Sequence, residues 1–238
     1  MHKTIILIAV VNLMLITAGR GSEIGKKKAM MVFIDYTESA ATFENNNSNR
    51  IKKMVQNLAQ SLKNGDMLEV YPIHAFTETG IMGKRVAPIL EGNLRDRQAH
   101  RNWLKNEVKP FIDGVMNYQF DGNALAGTNI YPIVNKMKER RAQGYDVVAY
   151  IFSDLIQEYS NERFHVLFDG TKDPIEYAEN KVKAMKAEGS LTNVKTSIFI
   201  PGLPEGVEDQ EPARDDVEKF WKKFFNLCGS SVIIKDMG

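Results

Sequence analysis

The chain has 238 residues, of which 43% are hydrophobic and 26% are charged, a balance typical of a globular protein of one domain or at most two small ones. Its 31 Lys and Arg residues are matched by 30 Asp and Glu residues. Because nucleic acids are bound through a clear basic excess, this charge balance argues against nucleic acid as a partner.

The N-terminal segment does not look like part of a fold. His2 and Lys3 precede an apolar run over residues 4–18, and small residues follow that run. This layout predicts a signal peptide over residues 1–21 and export to the periplasm or the medium. The alternative is an N-terminal membrane anchor. The basic residues 26–28 favour the anchor, since positive charge tends to stay in the cytoplasm.

The first half of the remaining chain alternates apolar runs with amphipathic stretches. Residues 29–34 are a continuous apolar run that ends at Asp35, which is typical of a central strand buried on both faces. The following elements are predicted next: a helix over about 51–62, a strand over 67–76, a weaker strand over 81–90 that could be a hairpin edge, and a helix over about 97–116.

The second half repeats the same alternation. We predict a helix over 130–144, a strand over 147–152, a helix over 175–188, a strand over 194–200, a last helix with its apolar face over 217–228, and a final strand over 231–234. Strands that alternate with helices predict an α/β fold. We expect a Rossmann-like open, mostly parallel sheet flanked by helices, in one domain over residues 29–238. Trp103, Trp221 and the single cysteine, Cys228, lie on apolar helix faces and are predicted to be core residues.

Polar side chains follow the two fully apolar strands. In an open α/β sheet, ligands bind outside the carboxyl ends of the strands. The first strand is followed by Asp35, Thr37 and Ser39, the second by Asp154, and a loop between them carries Thr128. Carboxylate and hydroxyl oxygens suit a hard divalent cation, so the pattern predicts a Mg²⁺ site, with Mn²⁺ or Ca²⁺ as alternatives. Each residue also has an ordinary explanation, as a helix cap or a strand end.

These residues resemble a known family. Asp35, Thr37 and Ser39 match the Asp-x-Ser/Thr-x-Ser signature of von Willebrand factor A domains, the superfamily of the integrin I domains. The loops that carry Thr128 and Asp154 are similar to the second and third metal loops of that family. The resemblance implies that the first four residues lie near the metal and that Asp154 joins them directly or through water.

Two departures from the family pattern bear on the site. Thr37 stands where serine is commoner, which exchanges one hydroxyl for another and adds a methyl group. Leu155 follows Asp154 where the family usually has glycine. The third loop could therefore sit differently or partly cover the ion.

Two functions of different class fit this pattern. The resemblance implies a non-enzymatic binding module whose metal takes a carboxylate from a protein partner, with association with a membrane complex as a possibility.

The alternative is a Mg²⁺-dependent phosphohydrolase of the haloacid dehalogenase type, with Asp35 as nucleophile. That class has a second carboxylate where this chain has Thr37, and it leaves the loop with Thr128 unexplained. Its late acidic pair would be Asp215 and Asp216, which stand at the start of a predicted helix instead of after a strand.

Overall fold

The computed structural model describes residues 26–37, 40, 46–90, 94–120, 122, 127–159, 162–168, 170–201 and 211–237. The predicted signal peptide, residues 1–21, and the predicted metal ligand Ser39 lie outside the described residues. Within the described ranges, no helix is both long and apolar enough to span a membrane.

A six-stranded sheet forms the centre of the molecule. The strands within the described ranges are β1 Lys28–Asp35, β2 Met67–Ile73, β3 Gly83–Val86, β4 Asp146–Phe152, β5 Glu158–Tyr159, β6 Glu162–Arg163, β7 Lys195–Ile200 and β8 Ser231–Asp236. Six of them form this sheet, in the order β3-β2-β1-β4-β7-β8. All neighbours in the sheet are parallel except β3, which pairs antiparallel with β2. The prediction of a Rossmann-like, mostly parallel α/β fold is therefore confirmed, and so is the hairpin edge.

The helices cover both faces of this sheet. They are α1 Asn47–Ala59, α2 Leu94–Trp103, α3 Lys109–Met116, α4 Pro132–Ala142, α5 His165–Phe168, α6 Pro174–Met185 and α7 Glu211–Leu227. A π-helical turn, Leu104–Val108, joins α2 to α3, so the single helix predicted over 97–116 is three consecutive helical segments. The sequence did not predict α5 or the β5–β6 hairpin, because elements of two to four residues are too short to show a periodicity.

The second strand ends earlier than predicted. β2 stops at Ile73, three residues before Phe76, because the chain turns at once. The backbone N–H and the hydroxyl of Thr77 both donate to the carbonyl oxygen of His74, at 3.2 and 2.7 Å, and the 3₁₀ turn Thr77–Thr79 follows. Side chains of this turn consequently lie at the carboxyl edge of the sheet.

Alternate residues of β1 enter two separate cores. Met31 and Phe33 pack on one face with α4, α6 and α7, whereas Val32 and Ile34 pack on the other face with α1 and α3. This division follows from the two-residue repeat of a strand and explains why β1 is apolar throughout. The predicted core residues Trp103, Trp221 and Cys228 are all buried.

The strand order places a crevice at one edge of the sheet. From β1, the strands β2 and β3 lie to one side and β4, β7 and β8 lie to the other. The carboxyl ends of β1 and β4 therefore meet at the point where the strand order reverses, which is where open α/β sheets bind ligands. Asp35 ends β1, and Asp154 follows β4 by two residues.

Candidate metal centre

The carboxylate of Asp35 lies fully buried at the end of β1. Its Oδ1 accepts hydrogen bonds from the Thr37 hydroxyl at 2.6 Å and from the Thr37 backbone N–H at 3.0 Å. Its Oδ2 accepts a hydrogen bond from the Ser153 hydroxyl at 2.6 Å. The strand ends of β1 and β4 are thus joined through this one carboxylate.

Burial raises the pKa of Asp35 to about 6, because the buried carboxylate loses the solvation of its charge. The hydrogen bonds from Ser153 and Thr37 lower the pKa and so oppose this effect in part, whereas the negative charge of Glu158 raises it. In the described part of the chain, no Lys or Arg forms an ion pair with Asp35. This carboxylate therefore lies in the interior with hydroxyl and amide partners but without a compensating positive charge.

Thr128 joins the same group of oxygens from a third segment. Its side chain is buried, and its Oγ1 lies 2.9 Å from the Oγ1 of Thr37. The backbone of Thr128 pairs with that of Glu158 through two hydrogen bonds of 3.1 and 2.9 Å. The oxygens of Asp35, Thr37 and Thr128 consequently form one continuous chain of contacts.

Gly127 allows this loop to approach β5. A Cβ atom at position 127 would lie 2.3 Å from the carbonyl oxygen of Glu158, a distance at which atoms overlap. The same carbonyl accepts the hydrogen bond from Thr128, so the close approach is what positions the threonine. Glycine at position 127 thus has a steric reason, which the sequence alone did not reveal.

Asp154 lies almost fully buried in the loop after β4. Its Oδ1 accepts a hydrogen bond from the backbone N–H of Ile156 at 3.0 Å. The preceding residue, Ser153, contacts Asp35 and also accepts a hydrogen bond from the backbone N–H of Leu155 at 2.9 Å. Asp154 is therefore held at the same edge as Asp35, in a loop fixed by its neighbours.

Leu155 adopts the left-handed conformation that glycine favours, with a φ of 67°. Its side chain is buried in the core beneath the sheet, and its carbonyl oxygen accepts a hydrogen bond from the Trp221 indole at 2.8 Å. At the position where the family usually has glycine, the leucine side chain therefore packs into the interior.

Gln157 is a positioning residue that sequence reasoning missed. It is buried, its Oε1 accepts from the backbone N–H of Ile130 at 2.8 Å, and its Nε2 donates to Asn129 at 3.3 Å. These contacts hold the segment that follows Thr128. No motif marks a glutamine of this kind, since its role depends on two loops that meet only in the folded chain.

The donor set suits a hard cation. Thr37 contacts both Asp35 and Thr128, Asp154 lies at the same edge, and Ser39 is outside the described residues. Over the described ranges, no group of three or more His, Cys, Asp or Glu side chains could hold a metal. A metal at this edge would therefore use hydroxyl oxygens beside the carboxylates, which suits Mg²⁺, Mn²⁺ or Ca²⁺.

No family model matches the chain, and no curated protein sequence is detectably similar to it. Among solved structures, the chain is similar to a von Willebrand factor type A protein from Catenulispora acidiphila, at 14% identity and a TM-score of 0.41, over 89% of this chain and 39% of the other. Proximal thread matrix protein 1 from the mussel byssus, with a zinc-occupied MIDAS motif, is similar at 13% identity and a TM-score of 0.40, over 89% of this chain and 44% of the other. The human COPII-coat protein Sec24c is similar at 10% identity and a TM-score of 0.43, over 90% of this chain and 30% of the other. The chain thus spans less than half the length of each.

Proposed function

We propose that this chain is a metal-ion-dependent protein-binding domain that holds Mg²⁺ at the carboxyl edge of its sheet. The ligands would be Asp35, Thr37, Ser39 and Thr128, with Asp154 bound directly or through water. The observation that carries the proposal is the buried carboxylate of Asp35, which has no cationic partner among the described residues and lies at the end of a chain of hydroxyl oxygens. A divalent cation would neutralise this carboxylate and take oxygen ligands of this kind.

The proposed partner is a protein that presents an acidic side chain. A bound Mg²⁺ would supply the positive charge for a charge-assisted contact with that carboxylate. The residues of this chain fix the position of the contact, because both oxygens of Asp35 are already oriented by Thr37 and Ser153. The surrounding loops would then determine which acidic partner is accepted.

A binding role fits the surroundings of Asp35 better than nucleophilic catalysis does. The phosphohydrolase class has a second carboxylate two residues after the nucleophile, whereas this chain has Thr37, whose hydroxyl donates to Oδ1 of Asp35 at 2.6 Å. Asp215 and Asp216 lie within α7, and Asp216 accepts a hydrogen bond from Lys219 at 2.7 Å. They do not follow a strand, as the late acidic pair of the phosphohydrolase class would.

Titration of Mg²⁺ into the chelator-treated protein tests the proposal. We expect a saturable heat and a rise of the melting temperature, because the ion binds only the folded state. Thr128→Val should weaken Mg²⁺ binding at least tenfold, since it removes one oxygen and keeps the shape of the side chain. Thr196→Val is the matched control, because Thr196 is equally buried and also contacts one hydroxyl, that of Ser230 at 2.8 Å. Equal Mg²⁺ affinity in both variants would contradict the ligand role of Thr128.

The metal-loaded protein should show no phosphatase activity above background on an aryl phosphate such as p-nitrophenyl phosphate. It should also form no stable adduct with beryllium fluoride, because Asp35 would bind the metal and would not attack phosphorus. Steady-state turnover and the intact mass of the protein are the measurements. Turnover that disappears in Asp35→Asn would establish the phosphohydrolase function instead.

We also propose that the domain works outside the cytoplasm, on the strength of the apolar run over residues 4–18 and the small residues after it. Mass spectrometry of the protein isolated from its native cell should find an N-terminus within residues 19–22. Recovery of the uncleaved chain from the membrane fraction would favour the N-terminal anchor.

A further inference from the structure

A cavity of about 330 Å³ opens beside the candidate metal centre. Its wall includes the end of β2, the segment before β3 and the chain after α3. The lining side chains used below are those of Pro72, His74, Ile81, Met82, Tyr118 and Phe120. None of them carries a full charge at neutral pH, so the cavity suits an apolar or aromatic group better than an ion.

The ring of Tyr36 links the metal-centre segment to the wall of this cavity. Tyr36 lies between Asp35 and Thr37 in the chain, and its ring contacts that of Phe120 at a centroid distance of 4.8 Å. The other contacts of Phe120 are with Tyr118 at 4.7 Å and His74 at 4.9 Å, and all three line the cavity. The segment that carries Asp35 and Thr37 therefore contacts the wall of the cavity directly.

Exposed apolar side chains are concentrated around the opening. Tyr118 is 55% exposed and Ile81 is 47% exposed, and both line the cavity. Phe76, 45% exposed, contacts the His74 ring at a centroid distance of 6.2 Å. Large apolar side chains grouped at a concave site, next to a ligand-binding centre, are typical of a surface that receives a partner.

His74 provides a directed polar group in this otherwise apolar cavity. The side chain is buried, and its Nδ1 accepts a hydrogen bond from the backbone N–H of Phe76 at 2.8 Å. In the neutral ring this leaves the proton on Nε2, which has no hydrogen-bond acceptor among the residues that the structure describes. A donor in the cavity wall without an acceptor in the described part of the chain fits a ligand that brings an oxygen atom into the cavity.

We propose that the partner segment carries a tyrosine close to its acidic residue, and that the tyrosine ring occupies this cavity while the carboxylate binds at the metal centre. The ring would pack against Phe120 and Tyr118, and the phenol oxygen would accept the hydrogen bond from His74. Aromatic anchors in such cavities contribute a large share of the binding free energy of an interface. This inference rests on the proposed metal-dependent function and specifies its partner.

Short peptides provide the test with the full, Mg²⁺-loaded chain. The probes are Ac-Asp-(Gly)n-Tyr-NH₂ with one to four glycines, and the same series with Ala in place of Tyr. At the spacing that spans the two sites, we expect the Tyr peptide to bind at least tenfold more tightly, because the second contact becomes intramolecular. Equal dissociation constants for the two series at every spacing would overturn the proposal.

Variants of the cavity rim test whether the preference for the Tyr peptide arises at this cavity. The double variant Ile81→Ser/Tyr118→Ser removes exposed side chains and should leave folding and Mg²⁺ affinity unchanged, while the preference for Tyr over Ala is lost. Ile233→Ser is the matched control, since Ile233 is 55% exposed on β8 and should keep the preference. A Tyr preference that persists in the double variant would show that the ring binds elsewhere.

Two further measurements separate this proposal from the metal-binding one. Mg²⁺ titration without peptide reports on the metal centre alone. N-acetyl-tyrosinamide has no carboxylate, so its binding reports on the cavity alone and can be followed by NMR in the presence of a chelator. Chemical-shift changes at Ile81 and Tyr118 would support the cavity as a binding site for the tyrosine ring, whether or not Mg²⁺ binds. Absence of these changes would overturn that role of the cavity, again whether or not Mg²⁺ binds.

Discussion

Asp35→Asn is expected to abolish Mg²⁺ binding and, at pH 7–8, to make the metal-free protein more stable. The first effect follows because the variant loses the buried negative charge that the cation would neutralise. The second follows because burial raises the pKa of Asp35 from 3.8 to about 6 in the folded protein. Above pH 6, folding therefore has to bury a charge that the unfolded chain leaves in water.

The sign of the pH dependence comes from the raised pKa. The stabilising contribution of a group of this kind is fully present below about pH 4 and is lost as the pH rises through 6. The difference between the two pKa values corresponds to about 3 kcal/mol of unfolding free energy at pH 7–8. Asparagine has to donate to the Ser153 hydroxyl, which now donates to Asp35, and that rearrangement offsets about 1 kcal/mol. We therefore expect a net gain of about 2 kcal/mol at pH 8 and no gain at pH 4.

Urea denaturation at pH 4 and pH 8 in a chelator, followed by the same measurement in saturating Mg²⁺, checks both effects. Glu69→Gln is the matched control, because Glu69 is also buried but forms an ion pair with Arg140 at 2.7 Å. That variant should be less stable at pH 8 and should retain the response to Mg²⁺, because it leaves a partly buried guanidinium without its partner. Loss of stability in Asp35→Asn at pH 8, or a retained response to Mg²⁺, would contradict the proposed role of Asp35.

Gly127→Ala is expected to destabilise the protein by about 2–4 kcal/mol and to lower Mg²⁺ affinity at least tenfold. The added Cβ would lie 2.3 Å from the carbonyl oxygen of Glu158, and a backbone atom cannot move away by changing rotamer. Separating the two segments breaks the hydrogen bonds between Thr128 and Glu158, so Thr128 no longer lies beside Thr37. Stability and metal affinity should therefore fall together.

Gly114→Ala is the control for this change. Gly114 lies within α3, and no atom lies within 4 Å of a Cβ built there. Alanine should stabilise the helix by about 0.5–1 kcal/mol and leave Mg²⁺ binding unchanged. Thermal unfolding and calorimetric titration of the two variants are the measurements. A Gly127→Ala protein with the stability and Mg²⁺ affinity of the wild type would show that the loop does not depend on this close approach.

The fold could be predicted from the sequence to the extent that long periodic elements specify it. The apolar run that ends at Asp35 is buried on both faces and lies at the centre of the sheet, as a run of this kind predicts. The hairpin β5–β6 could not be predicted, because two-residue strands have no periodicity. That hairpin nevertheless carries Glu158, whose backbone holds Thr128 in place.

The sequence singled out polar side chains that the structure brings together, but not the residues that support them. Thr37 contacts both Asp35 and Thr128, although 91 residues separate it from Thr128. Gln157 has no motif, because its function is to satisfy backbone groups of a loop distant in sequence. Leu155 occupies a position where the family pattern favours glycine, and only the structure reveals why leucine is accepted there.

The conformation of Leu155 links the loop of Asp154 to the strength of the hydrophobic core. A left-handed backbone costs a leucine about 1 kcal/mol, and the loop retains it because burial of the side chain outweighs that strain. Packing in the core around Trp221 thus stabilises the strained backbone of the loop. Phe224 packs on Trp221 at a ring distance of 5.2 Å and on Tyr131 at 5.6 Å. Truncation of Phe224 would leave a cavity and weaken this packing. The loop would then relax toward an extended backbone while the sheet remained folded.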